Sequence, residues 1–572
     1  RVDLVVEAGA VTHPETGHSL TFGQLTGGRP LSQPIPEDVP TRHPGAWTVA
    51  GTAAPKVNAR DLVTGAHRFA SDVELPGMLY GKVLRPAGFG ATLRSLDARE
   101  AEAMPGVTVV REGDFVAVAA PDEPAAVRAV AALRAEWEVP AQPAAPELMS
   151  WLREHAAEEP GTAPAGPGRR GGEPYTTGAV EEGLAMAAHV LEATYTAAYI
   201  AHAPLEPRAA LAQWEAGGLT VWTGTQRPFG VREQLAEQFG LPAERVRVIV
   251  PDTGSGYGGK HYGDAAVEAA RLARACGKPV KLIWTREEEF TWAYFRPAAV
   301  IDVRAGVGQD GTLTAWEHHT YNAGAAGIRT LYDVPHQRIV SHAARAPLRQ
   351  GSYRALSATA NTFARESHMD ELAQRAGMDP LAFRLRNLKD ERLRAVLEAA
   401  AERFGWGRAA APPGHGYGLA CGFEKGGYVA TCAEVAAQRR PSGRIADVRL
   451  VRVVEAFECG AVLNPEHLRN LIEGAVVQGI GGALYEAIEF AEGRILNPRF
   501  SQYRVPRFGD VPPIEVVLLD RKDLPSAGAG ETPIIGIAPA VANAIAAATG
   551  VRLRGMPLLA ASPTTDPSLR SG

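Results

Sequence analysis

Apolar residues along this chain fall mostly into short alternating runs broken by Gly and Pro, with a few Ala-rich stretches whose apolar positions recur at helical spacing. Alternation with period two marks a half-buried strand, and recurrence at three and four residues marks an amphipathic helix. These patterns predict strands over residues 77–85, 219–222, 245–250, 280–284, 448–454 and 514–519, and a short alternation at Val2, Leu4 and Val6. They predict helices over 125–137, 264–276 and 538–549, and a long helical region over 367–404. Residues 141–174 are rich in Pro, Ala and Gly and read as a linker, with a helical turn or two inside 148–158. No short-period repeat is evident, which argues against solenoids and propellers. The mixture fits a multidomain α+β protein: a leading segment over 1–50, a small α/β domain over 51–140, the linker over 141–175, and two mixed domains over 176–345 and 346–572.

Composition narrows the function. A chain of 572 residues is too long for one core, and 45% hydrophobic with 22% charged residues is ordinary for a globular protein. The net charge of -5, with Lys and Arg dispersed among carboxylates, offers no electrostatic footprint for nucleic acid or an anionic membrane. No stretch reaches the roughly 20 apolar residues of a membrane-spanning helix. Cys276, Cys421, Cys432 and Cys459 lack the spacing of zinc or iron–sulfur ligands and do not suggest a disulfide framework. Any iron–sulfur cluster therefore sits on another chain. The sequence starts at Arg1 without a methionine, which reads as a fragment or processed product and leaves the compartment open between cytoplasm and periplasm.

The densest chemical signal is a glycine loop, Pro251-Asp252-Thr253-Gly254-Ser255-Gly256-Tyr257-Gly258-Gly259-Lys260, between a predicted strand and a predicted helix. Such a run lets backbone amides approach an anionic or oxo ligand at a helix N-terminus. Gly254, Gly256 and Gly259 also satisfy the G-x-G-x-x-G pattern of dinucleotide-binding folds, and Glu287 follows the next strand where a ribose-binding acid is expected. An NAD-linked dehydrogenase is thus one reading of the loop, and a turn serving only close packing is another.

Five ordered segments together resemble the molybdenum hydroxylases related to xanthine dehydrogenase and aldehyde oxidase. The loop is similar to that family's G-G-G-F-G-G-K, with Tyr257 in place of Phe. Gln226, in Thr225-Gln226-Arg227, matches a glutamine that faces the metal's oxo ligand, and His202 and Glu206 before it are assigned structural roles. Tyr353-Arg354 precedes an acidic helix containing Glu366, and counting twelve residues back from Glu366 selects Arg354 rather than Arg349 as the arginine near the cofactor. Gln478, in a helix resembling the family's E-G-A-x-x-Q-G, matches a glutamine beside the pterin. Gly528-Ala529-Gly530-Glu531-Thr532-Pro533 is similar to the G-x-G-E-x-P signature, whose glutamate is the catalytic base. The flanking glycines and Ile534-Ile535 suggest that Glu531 is buried, and burial generally suits a carboxyl to accept a proton near neutrality.

The resemblance implies a hammerhead-like α/β domain followed by two cofactor-binding domains. Its function would be a hydroxylase that inserts water-derived oxygen at an electron-poor carbon of an N-heteroaromatic compound or an aldehyde. Glu531 would be the base, and Gln226, Gly256, Tyr257, Gly258, Gly259, Arg354, Gln478 and Gly530 would bind the cofactor, with no side chain ligating the metal directly. The implied cofactor is molybdopterin carrying molybdenum, in its cytosine dinucleotide form. The implied partners are a small subunit with [2Fe–2S] clusters and a cytochrome c or other acceptor, in a dimer of heteromers. The phrase from Leu348 to Leu356 matches the isoquinoline and nicotinate branch best, and His261, where purine-oxidising members carry Glu, argues against purines. A G-x-E-x-G-Q-G segment of the cofactor cradle is missing, while residues 1–25 resemble the stretch immediately C-terminal to it in the family, so 1–50 reads as the remnant of an upstream cofactor-binding segment. A non-catalytic fragment or assembly subunit therefore stays open beside the active hydroxylase and the NAD-linked enzyme.

Overall fold

The computed structural model describes residues 4–30, 32–157, 174–439 and 445–559. The chain forms two compact units, Arg1–Thr48 and Val49–Gly572. In the first, strands Val5–Glu7, Ala10–Thr12 and Ser19–Thr21 pair antiparallel in sequence order. Ala8 and Gly9 join the first two with φ of 48° and 78°, the left-handed pair of a tight hairpin turn. Thr21 and Gln24 then form a capping box on helix Phe22–Leu25.

Three large sheets organise the second unit. A seven-stranded sheet runs in the order Val246–Ile249, Gly218–Thr223, Ala209–Glu215, Val280–Ile283, Leu79–Leu84, Phe115–Ala120, Thr108–Glu112. Helix Asp264–Cys276 packs on it through buried Ala265, Ala266, Ala269, Ala270, Leu272 and Ala273. A six-stranded sheet runs Gly555–Met556, His189–Ala197, Ala299–Val307, Leu313–Tyr321, His336–His342, Tyr175–Thr177. Both sheets cross the segment boundaries drawn from the sequence: Leu79 pairs with Val280, and Met556 with Ala197. The third sheet, His415–Glu424, Gly427–Arg439, Ile445–Glu458 and Ile514–Leu519, is covered by helix Ile537–Thr549. Cβ atoms at Gly416 and Gly418 would lie 2.1 and 2.2 Å from the carbonyl oxygens of Ala544 and Ala540, so glycine is what lets helix and strand meet backbone to backbone.

Helix Ala358–Arg375 runs through the interior, buried from Ala358 to Ala373. Its Glu366 has no exposure and meets the equally buried Arg384 at 2.9 Å, the Tyr332 hydroxyl at 3.1 Å and the amide of Cys421 at 3.3 Å. Removing one partner of such a buried pair costs about 3–5 kcal/mol.

Several elements differ from the sequence reading. The helix expected over 125–137 stops at Ala132, and Arg134–Glu138 is a strand paired with Thr92–Asp97. Its exposed Arg134, Glu136 and Glu138 alternate with half-buried Ala135 and Trp137, a period-two pattern that wins over the preceding Ala run. The region over 367–404 belongs to three helices, Ala358–Arg375, Pro380–Asn387 and Glu391–Phe404, the last two capped by Asp379 and Asp390. In the linker, Leu148–Glu154 is helical, and 158–173 lie outside the described residues. Thr532–Thr549, with mean hydropathy 1.5 over 18 residues, is apolar enough to cross a membrane by composition, contrary to the expectation that no stretch would be; it is 78% buried inside the fold. Its apolar surface is used by the core.

Candidate active site

The glycine loop follows strand Val246–Ile249 and is fixed from behind. Gln226 Oε1 accepts the N–H groups of Gly258 at 3.0 Å and Lys260 at 3.2 Å. Glu206 Oε2 accepts the Gly254 N–H at 2.7 Å and the buried Lys260 ammonium at 3.0 Å. The Tyr294 hydroxyl donates to the Gly258 carbonyl and accepts the His261 N–H at 2.9 Å, and Arg208, paired with Glu289, reaches the Gly259 carbonyl. Burial pushes the His202 imidazole down to about 3, so its neutral ring donates from Nε2 to the Ser352 carbonyl at 2.6 Å.

Arg354 joins this loop to the rest of the site. Its N–H donates to the Tyr257 carbonyl at 2.9 Å. Its guanidinium donates to the carbonyls of Gly530 (2.6 Å) and Leu471 (3.2 Å) and to Gln478 Oε1 (3.2 Å). Gln478 also donates to the Tyr353 hydroxyl at 3.0 Å. Arg349, the alternative from the sequence, instead pairs with Asp264 and is not on this cavity's wall.

Glu531 stands just before the helical turn Thr532–Gly536. One carboxylate oxygen accepts the Ala355 N–H at 3.1 Å, and the other contacts the Lys425 ammonium. The expected burial is not what the structure shows: the side chain is 31% exposed while Ile534 and Ile535 behind it are buried. Two glycine-flanked turns, those of Lys425 and Glu531, open the carboxylate to the cavity.

These groups line one cavity of about 820 Å³, whose walls include Gln226, Arg227, Tyr257, His261, Arg354, Lys425 and Glu531. Among the sequence-derived candidates, Gln226, Tyr257, Gly258, Arg354, Gly530 and Glu531 lie on its wall, whereas Gly256, Gly259 and Gln478 lie one contact behind. Arg227, Lys425 and the Asn470–Gly474 turn of helix Pro465–Leu484 were not foreseen. Lys425 stands in no recognisable phrase, and the fold is what places it. Glu424 pairs with Gly427, so Lys425-Gly426 is a two-residue hairpin turn, with φ of 49° and 82°. Ser255, Tyr257, Ala355 and Leu356 also have positive φ, so left-handed non-glycine residues gather around this cavity. Each costs about 1–3 kcal/mol, and such strain concentrates where function needs it.

Burial, with Arg227 and Lys425 nearby, lowers the His261 imidazole and favours its neutral form. Among the described residues, no group of three or more His, Cys, Asp or Glu side chains is placed to hold a metal ion. Several features fit a pterin-held metal. Cβ atoms at Gly474, Gly528 and Gly530 would meet open space, so these glycines leave room that the protein does not fill. Gln226 Nε2 and the Gly256 and Tyr257 amides have no acceptor among the described residues. Arg227, Arg354 and Lys425 outnumber the single lining carboxylate, Glu531. The dinucleotide reading does not fit. Strands Val246–Ile249 and Val280–Ile283 are separated by Gly218–Thr223 and antiparallel Ala209–Glu215, and Glu287 pairs with Arg499 away from the loop.

Comparison with known proteins agrees with this geometry. Two molybdopterin cofactor-binding domain models match residues 166–388 and 345–512. A nicotinate dehydrogenase subunit of Pseudomonas putida is 31% identical over 607 aligned residues, covering 97% of this chain and 50% of that protein. The beta subunit of isoquinoline 1-oxidoreductase from Brevundimonas diminuta is 29% identical, covering 90% of this chain and 69% of that protein. The fold matches quinoline 2-oxidoreductase from Pseudomonas putida 86 with a TM-score of 0.75 at 19% identity, covering 90% of this chain and 97% of that one. The chain belongs to the molybdopterin cofactor-binding domain family, whose two models together span residues 166–512. It spans about half the length of its nicotinate dehydrogenase relative.

Proposed function

We propose that this chain is the cofactor-binding subunit of a hydroxylase that places water-derived oxygen on an electron-poor carbon of an N-heteroaromatic compound or an aldehyde, with Glu531 as its base. The observation that carries the proposal is the Glu531 carboxylate, held on the cavity wall by the Ala355 N–H between the glycine loop and the Gly528–Gly530 turn. When bound, the molybdenum–pterin group supplies the two-electron redox chemistry. The protein's part is to orient and to move a proton. The Ala355 N–H fixes one oxygen of Glu531 and leaves the other to accept a proton once Lys425 moves away. The free amide end of Gln226 and the amides of Gly256 and Tyr257 offer donors to oxo or phosphate oxygens. Arg354, braced by Gln478, holds the loop and the Gly530 carbonyl in register.

The cytosine dinucleotide form of the cofactor, a small partner subunit carrying [2Fe–2S] clusters, a cytochrome c or other final acceptor, and a dimer of heteromers complete the proposal. That the relatives above are themselves named as subunits supports the heteromeric assembly. The test is Glu531→Gln in the complex purified with its native partners. Molybdenum content should stay at the wild-type level while turnover falls by about 10²–10⁴. A wild-type complex without molybdenum, or a variant with near-normal turnover, sinks the assignment.

A further inference from the structure

We propose that Lys425 determines substrate specificity by anchoring an anionic group of the substrate, a carboxylate on the heteroaromatic ring or on the aldehyde. Its contact with Glu531 is then a resting position from which the incoming anion draws it. The inference rests on the hydroxylase reading of the cavity.

Three observations lead there. The first is the backbone. Lys425 occupies the first central position of a two-residue hairpin turn at φ 49°, where Asn, Asp or Gly are the unstrained choices. A lysine kept there against that preference points to a use for its side chain.

The second is charge. Arg354 spends its guanidinium on neutral acceptors, the carbonyls of Gly530 and Leu471 and the Gln478 side chain. Arg227 makes no ion pair among the described residues. A neighbouring cavity of about 580 Å³ is lined by Glu424, the residue before Lys425, and by Arg329. Arg329 lies 4.1 Å over the Tyr175 ring and likewise has no ion pair among the described residues. Burial raises the Glu424 carboxyl and so weakens its power to neutralise Lys425. Glu531 alone is left against this positive wall.

The third is exchangeability. The side chains of Lys425 and Glu531 are 47% and 31% exposed, and contacts between partly exposed charges contribute little because water screens them. A carboxylate that replaces Glu531 on the ammonium therefore costs little, and Glu531 keeps the Ala355 N–H. The cofactor's own negative charge is the other candidate for these cations. Arg227 and Arg354 sit beside the glycine loop and helix Pro465–Leu484, whereas Lys425 lies on the turn shared with the second cavity.

The experiment compares matched substrates in the purified holo-complex: pyridine-3-carboxylate against its carboxamide, and 4-formylbenzoate against 4-formylbenzamide. Lys425→Met should lower the carboxylate-to-amide ratio of kcat/KM tenfold or more, mainly through KM, and Lys425→Arg should hold it within threefold. Benzoate binding, read by calorimetry without turnover, should weaken tenfold or more in Lys425→Met at unchanged molybdenum content. A ratio within twofold of wild type with unaltered benzoate binding overturns the anchor. Loss of molybdenum from Lys425→Met also overturns it, because it assigns the lysine to the cofactor. If the wild-type complex turns over none of the four compounds, benzoate binding by itself decides on Lys425, and the hydroxylase reading is decided separately by molybdenum content and Glu531→Gln.

Discussion

A methyl group on Gly258 would lie 2.8 Å from the Ser352 carbonyl oxygen and 3.1 Å from the Tyr353 Cα, on a backbone whose φ of 94° resists any side chain. Gly258→Ala should therefore lower stability by about 1–3 kcal/mol, seen as a fall in Tm, and molybdenum content should fall with it. Gly530→Ala makes the contrast. Its Cβ meets nothing of the protein within 4 Å, so Tm should hold while molybdenum content drops, because the methyl occupies the space left for the cofactor. Equal losses of Tm in the two variants would contradict this division. Residues of this kind were legible in the sequence because their motifs are local: the glycine loop, Gln226, Arg354 and Glu531 each stand inside a recognisable phrase. Lys425 was not, since its contact with Glu531 spans 106 residues and depends on a hairpin turn pointing at another loop. The burial inferred for Glu531 from Ile534 and Ile535 failed for a related reason. Apolar neighbours along the chain point into the core, while the carboxylate turns the other way.

Arg354 acts between elements. Through one side chain and one amide it ties the glycine loop, the Gly530 turn and helix Pro465–Leu484 together. A lysine keeps the charge but not the planar fork, so Arg354→Lys should lose at least one charged hydrogen bond. The expected cost is about 1.5–3 kcal/mol in urea unfolding, with reduced molybdenum content. Arg349→Lys, which touches Asp264 instead, should leave molybdenum content unchanged. Elements were read best where start and stop signals are local, as in helix Asp264–Cys276, which ends on Gly277 at φ 62°. The strand Arg134–Glu138 was missed because an Ala-rich helix runs up to it, and only its pairing with Thr92–Asp97 rewards the alternation.

At the scale of the whole molecule, buried titratable groups set the pH range of stability. Burial pushes His202, His318 and His368 down to about 3, from 6.5 for a solvated imidazole. Neutral in the fold, they take up protons more readily when it opens. Their contribution is fully present above pH 6.5 and is lost as pH falls toward 3, by up to about 1.4 kcal/mol per histidine per pH unit. Glu486 works the other way: burial raises it from 4.5 to about 7, so its contribution is present below pH 4.5 and lost as pH rises to 7. Burial also lowers His261 and His342 and raises Glu424 and Glu455, so five lowered histidines stand against three raised carboxyls and Tm should fall from pH 6.5 to 4.5. Glu486→Gln should gain stability relative to wild type as pH rises over 4.5–7, and a gain independent of pH would contradict the assignment. None of this was visible in the sequence, because burial of a histidine depends on partners distant along the chain. The same distance governs the large sheet, where Leu79–Leu84 closes against Val280–Ile283. Gene fission within residues 141–173 would yield two polypeptides, each with a bare strand edge at that seam. Neither would be a self-sufficient unit of inheritance, and the register of Leu79 on Val280 would have to bring the pair together again.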